Sequence, residues 1–237
     1  MHPVRADVVS VAVAANFSTP MKVIVAEFAR DTGHQAEPSF GATGKLHTQI
    51  VHGAPFEMLL AADDVTCGKL VQAGLAMEQT RRTYAVGRLV LWSSRPGFVD
   101  DRGEILKSGD FRHLALAAPR LAPYGAAAIE TLTALGLVDK LQSRFVQGEN
   151  IAQAYQFITS GNAELGFVAL SQVMVDGGIR EGSAWIVPEA SHRPLRQEAV
   201  ILKRGENRPA ALAFLDYLTG PRAQTVLQAF GYRLETR

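Results

Sequence analysis

Between Val8 and Leu46 the chain alternates between two hydrophobic periods, and that alternation restricts the fold more than any other feature. Val8-Val9-Ser10-Val11-Ala12-Val13-Ala14 is short, uncharged and rich in β-formers. It stops at Ala15-Asn16-Phe17-Ser18-Thr19-Pro20. Beyond that corner Met21, Ile24, Val25 and Phe28 fall at i, i+3, i+4 and i+7, the stripe of an amphipathic helix. Ser18 or Thr19 is the expected N-cap, Pro20 suits the first turn, and Gly33 follows the last periodic residue. A second unit copies the first: extended Glu37-Pro38-Ser39-Phe40, a corner at Gly41-Ala42-Thr43-Gly44, then a helix from Lys45. Two strand-to-helix corners of this kind present backbone N–H groups and the positive ends of helix dipoles, which suits an anion.

The same alternation continues. Strands are expected over Phe56–Leu60, Gly87–Trp92, Leu114–Ala118, Arg144–Val146, Leu165–Ala169, Trp185–Val187 and Glu198–Leu202. Helices are expected from about Val65 to Gly74, over Tyr124–Leu135, from Asn150 (a cap) to Gly161, near Asn207–Thr219 and over Pro221–Phe230, with Ser94 to Gly109 as loop. This order predicts an α/β protein with largely parallel sheets covered by helices on both faces. Ligands of such sheets sit beyond the carboxyl ends of strands. Four corners lie there: Ala15-Asn16, Ala42-Thr43, Pro123-Tyr124 and Asn150-Ile151.

Composition excludes several classes. A chain of 237 residues, 47% hydrophobic and 20% charged, has room for two modest lobes and the balance of an ordinary globular protein. A net charge of +1 without a basic block argues against nucleic acid, and no run approaches the ~18 apolar residues of a membrane span. The single Cys67 forbids an intrachain disulfide and reads as a small buried residue. Arg5, the apolar run and Ala12-Val13-Ala14 imitate a signal peptide, but cleavage there would delete the first strand. We therefore expect a chain whose export signal has already been removed.

Catalytic patterns are missing. There is no G-x-S-x-G elbow and no H-E-x-x-H pair, and the six histidines read as surface or capping residues. Asp63-Asp64 reads as an N-cap and a first-turn acid. Gly41-Ala42-Thr43-Gly44-Lys45 is too short for a phosphate-binding P-loop and has Leu46 after the lysine. What survives is a set of uncharged corners. Donors alone satisfy a fully ionised oxyanion and penalise one that still carries a proton.

Those corners carry a resemblance. Ala14-Ala15-Asn16-Phe17, Gly41-Ala42-Thr43-Gly44, Gly53-Ala54-Pro55, Ala62-Asp63, Leu89-Val90-Leu91, Pro123-Tyr124-Gly125, Leu165-Gly166-Phe167-Val168 and the tail from Tyr217-Leu218-Thr219-Gly220-Pro221 to Gly231-Tyr232 occur in this order over nearly the whole chain. The set resembles the periplasmic molybdate-binding proteins of bacterial ABC transporters, the ModA-like type II solute-binding proteins. The resemblance implies a two-lobed type II periplasmic binding protein fold, each lobe a mostly parallel sheet flanked by helices, with a two-strand hinge. Residues 1–84 and 196–237 would form lobe 1, and residues 85–195 lobe 2.

It also implies a monomeric, non-catalytic periplasmic receptor that hands molybdate or tungstate to an ABC permease. The anion would lie between the lobes, bound through its oxygens, with no cofactor and no protein-bound metal. Carried over by residue, Asn16 gives side-chain and backbone N–H, Thr43 gives a hydroxyl, and Tyr124 and Ile151 give backbone N–H groups. Ala15 stands where the family has Ser or Thr, which leaves only its backbone N–H. Ala169 replaces a tyrosine of another branch. Two alternatives remain: another small anion (sulfate, chromate or an organic acid, the last calling for an arginine fork such as Arg88 or Arg120), or a ligand-sensing domain. The sensing domain would need a helix-turn-helix beside it, for which this sequence leaves no stretch.

Overall fold

The computed structural model describes residues 6–175 and 177–235, so Arg5 and the start of the leader-like segment lie outside the described residues. The chain divides into two compact units: Met1–Val86 with Arg196–Gln228 and Arg233–Arg237, and Gly87–Leu195 with Ala229–Tyr232.

In the first unit β1 (Val8–Ala14), α1 (Ser18–Thr32), β2 (Gln35–Gly41), α2 (Thr43–Val51), β3 (Met58–Ala61), α3 (Thr66–Gln72) and β4 (Arg82–Gly87) follow one another. The second unit holds β5 (Leu89–Ser93), α4 (Ile105–Ser108), β6 (Leu114–Ala117), α5 (Pro123–Ala134), α6 (Val138–Leu141), β7 (Phe145–Gly148), α7 (Ile151–Thr159), β8 (Leu165–Ala169), α8 (Leu170–Val173), β9 (Met174–Val175), β10 (Gly178–Ile179) and β11 (Ser183–Ile186). The chain then returns through β12 (Leu195–Ile201), α9 (Pro209–Thr219) and α10 (Pro221–Ala229).

The first sheet has the order β2-β1-β3-β12-β4. β1 runs parallel to β2 and β3, with Ala14 opposite Gly41 and Val13 opposite Leu60, so the carboxyl ends of all three share one edge. β12 runs antiparallel to β3, with Glu198 opposite Ala61. Pro38 is tolerated because β2 is the edge strand. One face of this sheet packs Ala12, Leu59 and Val200 against Leu46, Ile50, Cys67 and Leu70 of α2 and α3. Elsewhere in the unit Phe28 of α1 meets Phe214 and Tyr217 of α9 edge-on, with centroids 5.0 and 5.5 Å apart.

The second sheet has the order β11-β5-β8-β6-β7. β6 runs parallel to β7 and β8, with Ala117 opposite Gly148 and Ala115 opposite Gly166. β5 and β11 add antiparallel pairings. In both sheets the parallel strands are those joined through helices, and antiparallel neighbours enter where the chain has left or rejoined the unit. β3, β6 and β8 are buried along their whole length, which explains their unbroken apolar runs.

Several local expectations need correction. Helix α1 starts at Ser18, two residues before Pro20, behind a three-ten turn at Ala15–Phe17. Neither Ser18 nor Thr19 caps it, since the N-cap is Phe17 and no side chain supplies an acceptor. β4 and the β9–β10 hairpin are additional, and α4 interrupts the segment expected as loop. His34 is a core residue, not a surface one: it stacks on Phe28 and its Nδ1 faces the N–H of Asp7 at 3.2 Å. Ala229–Tyr232 group with the second unit, where the Tyr232 hydroxyl bonds Ser171 Oγ at 3.2 Å. Gly231 has φ +78°, and a Cβ there would crowd Leu170. The buried Cys67 thiol sits 3.6 Å from the Glu198 carbonyl oxygen, and burial pushes its pKa well above the ordinary thiol value.

Candidate functional site

In the first unit, the register of β1, β2 and β3 brings Ala15, Asn16, Thr43 and Ala62 to the same edge. All four are buried. Thr43 is the first residue of α2, and its Oγ1 accepts the N–H of Ala62 at 3.1 Å, which ties the second corner to the end of β3. Asn16 lies in the three-ten turn, and its Nδ2 donates to Oε1 of Gln197 at 2.8 Å. Gln197 has no exposed surface. Its place between Arg196 and Glu198 hides it in the sequence, where a lone glutamine reads as surface.

Acids near this edge are already engaged. Asp63 accepts from the N–H groups of Val65 and Thr66 at 3.0 and 2.7 Å and from the Thr66 hydroxyl at 3.0 Å, but the N-cap of α3 is Val65 and its first turn holds no acid, so Asp63-Asp64 are not the N-cap and first-turn acid expected. Asp64 pairs with Arg196 at 3.2 Å. Glu198 is gripped by Nη2 of Arg81 at 2.9 and 3.0 Å, while the same nitrogen reaches the Asp64 carbonyl at 3.3 Å. Burial still raises the Glu198 carboxyl above its ordinary value against the opposing pull of Arg81. Strand alternation turns Glu198 to the face opposite Gln197, so the corner edge keeps uncharged side chains.

The second unit repeats the arrangement. Tyr124 is the second residue of α5, just beyond β6, and Ile151 is the first residue of α7, beyond β7. Both are buried, and the pairing of Ala117 with Gly148 sets their corners side by side. Gly125 lets α5 descend onto β6: a Cβ there would overlap the Ala117 carbonyl oxygen. Asn150 caps α7 as expected, its Oδ1 accepting from Ala152 and Gln153 at 2.9 and 3.1 Å. The N–H of Ala154 goes to the Asn150 carbonyl, so the N–H of Ile151 lies outside the capping set. Gln172 braces the corner, with Nε2 on the Ile151 carbonyl at 3.2 Å and Oε1 accepting the Ala169 N–H at 2.9 Å. Replacing Asn150 by alanine should cost about 0.5–2 kcal/mol of stability, read as a lower urea midpoint at unchanged m-value. An unchanged midpoint would mean that the cap is idle.

Corners of the first unit and the α5 corner share one property. The residues preceding these helical turns, Ala14, Phe17, Ala42 and Ala122, offer no side-chain cap. A helix leaves its first N–H groups without an intrahelical partner, and an apolar cap residue supplies no side-chain acceptor for them. Arg120 is exposed in the β6–α5 connection, and Arg88 lies between β4 and β5. Among the described residues no group of three or more His, Cys, Asp or Glu is placed to hold a metal ion.

The profile of the bacterial extracellular solute-binding proteins matches residues 9–233. The chain belongs to that family. This solute-binding protein is 54% identical over 231 residues to the molybdate-binding protein ModA of Azotobacter vinelandii, covering 98% of this chain and 92% of that one. It is 47% identical to ModA of Rhodobacter capsulatus, over 98% and 91% of the two chains. The solved Azotobacter vinelandii periplasmic molybdate-binding protein superposes with a TM-score of 0.93 at 40% identity, covering 96% of this chain and all of that one. The sulfate-binding protein SubI of Mycobacterium tuberculosis, at 14% identity and a TM-score of 0.79, shares the fold alone. The family role is capture of a solute, and the architecture is that of type II periplasmic binding proteins.

Proposed function

We propose that this solute-binding protein captures molybdate, or tungstate of the same shape and charge, in the periplasm and delivers it to an ABC permease without chemical change. The observation that carries this reading is the set of buried, uncharged corners at the carboxyl ends of parallel strands, in a chain 54% identical to a molybdate-binding relative. Asn16 contributes side-chain and backbone N–H, Ala15 a backbone N–H, and Thr43 a hydroxyl and a backbone N–H. Tyr124 and Ile151 contribute backbone N–H groups from the second unit. None of these groups carries charge, so attraction comes from converging dipoles and selectivity from a lack of acceptors.

A ligand that binds only the folded protein raises its melting temperature by mass action. Thermal shift and calorimetry against molybdate, tungstate, sulfate, phosphate and chromate test the reading. Molybdate and tungstate should stabilise strongly, and phosphate, which carries a proton at neutral pH, should not. Equal shifts with sulfate and molybdate would overturn the assignment.

A further inference from the structure

Helix α7 shares out its first N–H groups unevenly. The Asn150 side chain takes those of Ala152 and Gln153, and the Asn150 carbonyl takes that of Ala154, so the N–H of Ile151 stays outside the capping set. A hydrogen bond weakens steeply as it bends, so an N–H offered to an anion works only while its peptide is held in aim. The sheet does not hold it. β6 separates β7, which leads into α7, from β8, and no ladder joins those two strands. Gln172 spans the gap. Its Oε1 accepts the N–H of Ala169, the last residue of β8, at 2.9 Å, and its Nε2 donates to the Ile151 carbonyl at 3.2 Å. Both partners are backbone groups, one able only to donate and the other only to accept, so the Gln172 amide has a single orientation. The first turn of α7 is thereby tied to a strand that is buried along its whole length.

We propose that Gln172 is a positioning residue for the oxyanion: by fixing the Ile151 carbonyl to the exit of β8 it keeps the N–H of the same residue aimed at the ligand. This inference rests on the reading of Ile151 as a backbone donor to the anion. Gln172 acts through Ile151 and is not itself a ligand.

The Ile151 donor can be deleted without removing the helix. Ile151 is the first helical residue, where proline is favoured and no intrahelical bond is lost. Asn150 before it is extended, at φ −140° and ψ 175°, the region that a residue preceding proline adopts. Calorimetry with molybdate tests the inference in Gln172→Met, Ile151→Pro and the pair combined. Ile151→Pro should weaken molybdate about tenfold or more, as loss of a charge-assisted hydrogen bond does. Gln172→Met, which keeps the length and loses the amide, should weaken it about three- to tenfold, a part of the same bond. The double variant should bind no more weakly than Ile151→Pro alone, because the brace then has no N–H to aim. In NMR spectra the Ile151 amide should move on molybdate addition, and move less in Gln172→Met. Wild-type affinity in Gln172→Met, additive losses in the double variant, or an Ile151 amide response unaltered by Gln172→Met would each overturn the inference. Should the proline variants not fold, affinity and amide response in Gln172→Met decide alone. Wild-type molybdate affinity in a folded Ile151→Pro would instead remove Ile151 as a ligand, and this inference with it.

Discussion

Asn16→Ala and Thr43→Val should each weaken molybdate binding tenfold or more, the consequence of losing a charge-assisted hydrogen bond of about 1.5–3 kcal/mol. The two variants differ in what else they break. Asn16→Ala removes one hydrogen bond to Gln197 Oε1, and Thr43→Val removes the hydroxyl that accepts the buried Ala62 N–H. Each should therefore also lower the stability of the ligand-free protein by about 1–3 kcal/mol, and affinities need to be measured well below the melting transition. Thr43→Ser separates the effects, since it keeps both the hydroxyl for the ligand and the bond to Ala62. Near-wild-type binding and stability are expected for it. If Thr43→Val binds molybdate as tightly as the wild type, that hydroxyl does not touch the anion.

Gly125→Ala should be damaging, although the same change inside a helix ordinarily stabilises by about 1 kcal/mol. The added Cβ would overlap the Ala117 carbonyl oxygen and come within 2.8 and 3.1 Å of the Ala117 and Ala118 carbonyl carbons. These are backbone atoms of β6 and its exit, which cannot step aside as a flexible side chain would. Overpacking of this kind costs about 3 kcal/mol, and α5 must lift from the sheet. A fall of about 6–12 °C in the melting temperature follows from the usual slope for chains of this size. Molybdate affinity should fall with it, because the N–H of Tyr124 moves with the helix. A neutral or stabilising Gly125→Ala would show that α5 does not depend on this close approach.

Local chemistry made much of this architecture legible in the sequence. The uncharged run of β1, the Met21, Ile24 and Phe28 stripe, Gly33 at φ +76° and the Asn150 cap all appear where spacing and capping rules put them. Elements that depend on distant partners were less visible. β4 begins with Arg82 and Thr83 and is a strand because the sheet accepts it, and no alternation announces β12 as antiparallel to β3. Ser18 and Thr19 have the right composition for caps, but the chain enters α1 through a three-ten turn that places Phe17 there instead. The corners were legible as strand-to-helix turns, and the buried Asn16, Thr43, Tyr124 and Ile151 stand at them. The burial of Gln197 was not legible, because Asn16, a residue it bonds, lies 181 positions away.

A crystal of the protein grown with molybdate, with the ion located by the anomalous scattering of molybdenum, tests the central claim most directly. The account predicts one tetrahedral ion whose oxygens lie within hydrogen-bond distance of Asn16, Thr43 and the backbone N–H groups of Ala15, Tyr124 and Ile151, with no arginine or metal ion touching it. An ion found away from these corners, or ringed by guanidinium groups, would contradict it.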